Sequence, residues 1–191
     1  MVVDPTAYPA IAAAAVRGGC DAVHVRLPGV ATDEVLATVR AAQDAIGDAA
    51  AVVVNDRLDI AMLTGAAAVQ LGERSFSVND VRCLLPETML VGRSVHDVAG
   101  AQSAAEAGAD YLLAGHVFDT DSKSGTPGRG LAWLAEVVAA VQIPVIALGG
   151  ITAERVPEVI ATGAHGVALG RELLLADDPA AAASAVVRGL T

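Results

Sequence analysis

The chain has 191 residues, 54% of them hydrophobic, which is enough to bury one compact core and short for two domains of ordinary size. A formal net charge of −10 excludes the basic face that sequence-independent nucleic-acid binding needs, so no nucleic-acid partner is expected. No apolar stretch approaches the ~20 residues of a membrane span, and no basic segment leads into an apolar run with a small-residue cleavage site, so a cytoplasmic protein with no membrane partner is expected.

Taken from the beginning, Val2-Val3 is a strand stub before Asp4-Pro5, and the Ala-rich segment Tyr8–Gly18 is the first predicted helix. Gly19-Cys20-Asp21-Ala22-Val23-His24 then has the composition of a helix-to-strand joint. Glycine takes the left-handed conformation that ends a helix, and the apolar run after it suits a strand. The joint recurs at Gly65-Ala66-Ala67-Ala68-Val69-Gln70, Gly108-Ala109-Asp110-Tyr111-Leu112-Leu113 and Gly163-Ala164-His165-Gly166-Val167-Ala168, at intervals of about twice one strand–loop–helix unit. Further strands are therefore expected midway, and Ala51-Val52-Val53-Val54, Met89-Leu90-Val91-Gly92 and Pro144-Val145-Ile146-Ala147-Leu148 supply them. These runs do not alternate, as befits parallel strands buried on both faces. Helices are predicted over Thr32–Ile46, Arg57–Thr64, Val78–Leu85, Asp97–Ala107, Leu131–Val141, Ala153–Thr162 and Pro179–Arg188, with Thr32, Asp56 and Thr152 as N-caps. The alternation predicts a single-domain α/β fold, a (β/α)8 TIM barrel of eight parallel strands with a short first strand. Asp119–Gly130, after the sixth strand, is the longest break and a candidate active-site loop. Cys20 and Cys83 lack disulfide or zinc spacing and read as small core residues.

In such barrels functional residues lie where strands end. Gly149-Gly150 and Gly170-Arg171, after the last two strands, suit a phosphate site built from backbone N–H groups. His116 follows the sixth strand, and an imidazole of near-neutral pKa both accepts and returns a proton, so it is the expected acid–base residue. His24 and His165 lie within or near strands and read as structural, while His96 opens a helix after the fifth strand. Arg26, Arg57 and Lys123 are the cations placed to meet a carboxylate or phosphate. Asn55-Asp56 could ligate magnesium, but a hard divalent ion holding a diphosphate usually needs more than one carboxylate.

The segments Val54-Asn55-Asp56-Arg57-Leu58-Asp59-Ile60-Ala61, Val69-Gln70-Leu71-Gly72-Glu73, Gly92-Arg93-Ser94, Gly115-His116-Val117-Phe118-Asp119-Thr120-Asp121-Ser122-Lys123 and Ile143-Pro144-Val145-Ile146-Ala147-Leu148-Gly149-Gly150-Ile151 resemble the thiamine-phosphate synthase and TenI superfamily across nearly the whole chain. Within that resemblance His116 stands where synthases usually carry proline. Ser75 stands where they place a magnesium-binding aspartate, and Pro28 where a basic residue follows the arginine corresponding to Arg26. The resemblance therefore implies a TenI-type thiazole tautomerase. Such an enzyme is an isomerase with no metal or organic cofactor that makes an aromatic carboxythiazole phosphate through a proton shift by His116. Arg26, Asn55, Ser94 and Lys123 would contact the substrate carboxylate and polar groups, with Gly149, Gly150, Gly170 and Arg171 on its phosphate. The partner implied is a phosphorylated thiazole, and the assembly a homo-oligomer, a dimer. The alternatives are a magnesium-dependent thiamine-phosphate synthase and a non-catalytic regulatory homologue that binds a phosphorylated ligand.

Overall fold

The computed structural model describes residues 4–120 and 125–190. Along the chain these form α1 (Tyr8–Arg17), β1 (Ala22–Val25), α2 (Thr32–Ile46), β2 (Ala51–Asn55), α3 (Leu58–Thr64), β3 (Ala68–Leu71), α4 (Val78–Arg82), β4 (Leu90–Val95) and α5 (Val98–Glu106). They continue with β5 (Tyr111–Gly115), α6 (Gly130–Ala139), β6 (Val145–Leu148), α7 (Val156–Ile160), β7 (Gly166–Ala168), α8 (Arg171–Leu174) and α9 (Pro179–Val187). The seven strands form one parallel sheet in sequence order, each paired with the next. Expected strands two to eight are thus β1 to β7.

The expected closed eight-stranded barrel is corrected to a curled half-barrel of seven strands, TIM-like in its alternation. Among the described residues the sheet has two edges, β1 and β7, because only seven strand-length apolar runs pair there. The expected first strand, Val2-Val3, lies outside the described residues. Helices continue the ring that the sheet leaves open: α1 packs against α2 on one side and α9 on the other. Gly18 lets this happen, since a Cβ there would collide with the Ala180 carbonyl and come within 2.6 Å of the Ala183 Cβ. Ser184 Oγ closes the seam by donating to the Gly18 carbonyl at 3.1 Å.

Strand alternation gives the sheet two faces. Val23, Val25, Val52, Val54, Val69 and Val91 join helix residues such as Val39, Ile60 and Val81 in one core. The predicted caps moved. Thr32 is the first helical residue and Ala31 the extended cap, Arg57 rather than Asp56 precedes α3, and α8 was not foreseen. Thr152 stands at the N-cap position but its side chain makes no cap bond, and its helix starts as the tight turn Ala153–Arg155 before α7. Side-chain caps come instead from Ser77, Asp97 and Asp178. Cys83 is exposed rather than in the core, because it ends α4 on the outer layer, and Cys20 is partly exposed; both are free thiols. Among the described residues no helix is long and apolar enough to cross a membrane.

The α1–α9 seam makes a prediction. Gly18→Val keeps an ordinary backbone conformation yet forces the helices apart, so it lowers stability by about 1–3 kcal/mol. Urea unfolding reads this as a fall in midpoint with little change in slope.

Candidate active site

Parallel pairing brings the C-terminal ends of β1 to β7, with the loops that follow them, to one rim. The face of the sheet opposite the helices is unusual for its polarity. His24, Asn55, Gln70, Ser94 and Tyr111 occupy positions between the valines of the helix-facing core. In register, Asn55 neighbours Gln70, Gln70 neighbours Gly92, and Gly92 neighbours Tyr111. Glycine is required at position 92, where a Cβ would collide with both the Tyr111 ring and Gln70 Oε1. Buried Gln70 donates from Nε2 to Ser94 Oγ at 3.1 Å. At the β1 end, His24 Nε2 is buried and has no hydrogen-bond partner among the described residues. Burial, and secondarily the Arg26 guanidinium, push its pKa down to about 4, against opposing effects of Asn55 and Asp56. The ring is neutral at pH 7.

Asp56 organises the rim after β2 and β3. Its φ of +57° lies in the left-handed region, which aspartate tolerates better than most residues. That turn sets its carboxylate against the β3–α4 loop. The Gly72 N–H donates to Oδ1 at 3.0 Å, the Ser75 hydroxyl donates to the same oxygen, and Asn55 Nδ2 donates to Oδ2 at 2.8 Å. Arg93 fixes the loop from outside, donating to the carbonyls of Phe76 at 2.9 Å and Glu73 at 3.2 Å. Arg57, expected at the mouth, turns away to Asp59 and Thr32. No group of three or more His, Cys, Asp or Glu side chains gathers as a metal site among the described residues. Asp56 and Ser75 offer hard oxygens, beside Asn55, whose amide N–H is turned to Asp56. Such a set fits magnesium held by one carboxylate together with a substrate's phosphate oxygens, and not a closed metal cage.

After β5 to β7 the rim opens into a cavity of about 840 Å³. Asp119, Thr120, Thr126, Gly150, Arg155 and Arg171 are among its lining residues. Gly149 and Gly150 have φ of +101° and +64°, and a Cβ on Gly150 would lie 2.5 Å from the Asp119 carbonyl oxygen. Gly170 donates its N–H to Glu172 Oε2 at 3.3 Å, just before Arg171 and Glu172 reach the cavity. His116 is buried and does not line it. Its Nε2 lies 3.1 Å from the Thr126 carbonyl, which only accepts, so Nε2 carries a proton and ties the strand end to the loop. The Arg129 N–H, bonded to the His116 carbonyl at 3.1 Å, reinforces the tie. His96 makes a similar bridge, donating from Nδ1 to the Gly115 carbonyl at 2.6 Å.

The structure thus groups Arg26, Asn55 and Ser94 with the polar face of β1 to β4, and Gly150 and Arg171 with the cavity that Gly149 and Gly170 adjoin in sequence. Lys123 lies outside the described residues. Sequence reasoning read His24 as structural and singled out neither Gln70 nor Arg155, which the fold places on the polar face and at the cavity. A glutamine inside the run Ala-Val-Gln-Leu was a usable signal for Gln70; nothing marked Arg155.

These features define a TIM-like α/β protein with a polar rim and an open cavity lined by glycine and arginine at the strand ends. Residues 2–173 match the family described as thiamine monophosphate synthase, and the chain belongs to that family. It is 42% identical to a thiamine-phosphate synthase of Methanoculleus marisnigri over 91% of this chain and 83% of that one. It is 38% identical to the thiamine-phosphate synthase of Mycobacterium tuberculosis, over 94% of this chain and 86% of that one. Among solved structures, a thiamine phosphate pyrophosphorylase from Pyrococcus furiosus superposes with a TM-score of 0.88 at 31% identity, covering 95% of this chain and 88% of that chain. The expected thiazole tautomerase is overturned by these relatives, which carry the synthase name over most of the chain. The role given to His116 in the isomerisation falls with it, and in the fold the ring is engaged with Thr126.

His24 provides a test of the polar face. The unfolded imidazole titrates near 6.5 and the folded one near 4, so between those values the unfolded chain binds a proton that the fold refuses. Stability from this group is complete above pH 6.5 and falls towards pH 4, by up to about 1.4 kcal/mol per unit. In His24→Gln the loss of urea midpoint between pH 7 and pH 5 is smaller than in the wild type; equal losses contradict the assignment.

Proposed function

We propose that the chain is a magnesium-dependent thiamine-phosphate synthase. It would be a transferase that joins a pyrimidine diphosphate to a thiazole phosphate and releases diphosphate. What supports this most is the division of the rim: oxygen donors around Asp56 at one end, and a glycine- and arginine-lined cavity at the other. One substrate brings a diphosphate and the other a phosphate monoester, so two chemically different anion sites suit the pair.

In this reading Arg26 and the Asp56 cluster receive the diphosphate, and Asp56 with Ser75 and Asn55 would hold the magnesium ion. The ion supplies charge neutralisation to the departing diphosphate. Gln70 and Ser94 sit between the two ends and offer the hydrogen bonds that orient a heteroaromatic ring. Gly149, Gly150, Gly170 and Arg171 take the phosphate of the thiazole. The bond from the pyrimidine's methylene carbon to the diphosphate oxygen breaks, its electron pair leaving with the diphosphate, and a carbon–nitrogen bond to the thiazole forms. The attacking ring nitrogen carries no proton, so the step needs no histidine base. Positioning and electrostatics carry the catalysis. The metal-free site expected from the tautomerase reading is replaced accordingly.

Incubating the protein with both substrates and magnesium should yield thiamine phosphate, with the reaction lost on chelation. Asp56→Asn should lower the rate about 10- to 100-fold, the loss of one charge-assisted contact. No coupling by the wild type in magnesium contradicts the proposal.

A further inference from the structure

Arg155 stands in the tight turn Ala153–Arg155 after β6, directly downstream of Gly149-Gly150. Its Nη1 donates to the Gly150 carbonyl at 2.8 Å, and its guanidinium lies over the Phe118 ring, 4.4 Å from the centroid. Phe118 in turn donates its N–H to the Gly149 carbonyl at 3.0 Å. Both carbonyls of the glycine turn are therefore held. A trans peptide is planar, with its N–H opposed to its C=O, so fixing the two carbonyls also fixes the Gly150 and Ile151 N–H groups, which point away from Phe118 and Arg155. Two adjacent glycines in the left-handed region would otherwise be a soft place to build a binding site.

Charge points the same way. The described lining of the cavity carries two arginines, Arg155 and Arg171, against two carboxylates, Asp119 and Glu172. Asp119 is engaged by the Gly128 N–H at 2.6 Å and Glu172 by the Gly170 N–H. Without Arg155 the described lining keeps one arginine against two carboxylates, a net negative charge towards an entering anion.

We propose that Arg155 is the positioning and specificity-determining residue of the phosphate subsite: it locks the Gly149-Gly150 turn and sets the charge balance that admits a phosphate monoester. The inference rests on the reading of this cavity as the phosphate end of the synthase site. A guanidinium that stacks on Phe118 while bonding the carbonyl is not reproduced by an ammonium, so lysine is an imperfect substitute.

The test compares wild type, Arg155→Lys and Arg155→Met by calorimetric binding of inorganic phosphate, and by coupling assays with thiazole phosphate and its unphosphorylated alcohol. In Arg155→Met, phosphate affinity falls roughly 10- to 100-fold, the equivalent of one charged hydrogen bond. KM for thiazole phosphate rises by a similar factor with kcat little changed, and kcat/KM for the alcohol stays put. Arg155→Lys lies between. Equal phosphate binding by wild type and Arg155→Met overturns the role of Arg155 and leaves the synthase reading intact. A parallel fall for phosphate ester and alcohol overturns it too, since a merely structural role damages both. Phosphate binding that depends on Arg155 in a protein that couples nothing keeps the inference and removes the synthase reading.

Discussion

Everything at the rim depends on the parallel pairing of neighbouring strands. Each strand from β1 to β7 runs the same way as the next, so every helix must cross back over the outer face. All seven C-terminal ends then meet at one edge. Residues far apart in sequence, Asp56 and Ser75 or Phe118 and Arg155, come within contact because loops after adjacent strands are neighbours. The helix-facing side of the sheet buries valine against the helices, leaving the other side and the loops to carry polar groups.

Two local devices turn that edge into a site. At one end Asp56 adopts a backbone conformation that side chains seldom take, and three donors gather on its carboxylate. Ser75 brings a hydroxyl that donates to this carboxylate, so Asp56 is the one carboxylate of the hydrogen-bonded cluster. At the other end two glycines with positive φ pack against His116, Phe118 and Asp119, closer than any Cβ allows. One device relies on a side chain tolerating strain, the other on the lack of a side chain.

Much of the framework was legible in the sequence for a physical reason. Gly19, Gly65, Gly108 and Gly163, read as helix-to-strand joints, have φ of +103°, +63°, +89° and +90°. A left-handed residue after a helix leaves a local mark, and so does a short apolar run between two helices. What was not legible depends on tertiary proximity. The sequence places His116 at a strand end, which is correct, but does not show that its ring turns to Thr126 rather than to the cavity. The same limit applies to Asp56, an N-cap by local pattern and a hydrogen-bond hub in the fold. Arg155 lies five residues beyond Gly150, and only the tight turn before α7 folds it back onto that carbonyl. The tautomerase expectation gave the most weight to one histidine, and the relatives named thiamine-phosphate synthase overturned it.

Under the proposed synthase reading, the rim holds two anion sites that are occupied together, one for diphosphate and one for the thiazole phosphate. Calorimetric titration of the wild type with diphosphate and magnesium, with and without saturating thiazole phosphate, tests it directly. Diphosphate binding whose affinity is little changed by the second ligand is the predicted result. Mutual exclusion of the two ligands, at one shared site, would contradict the account.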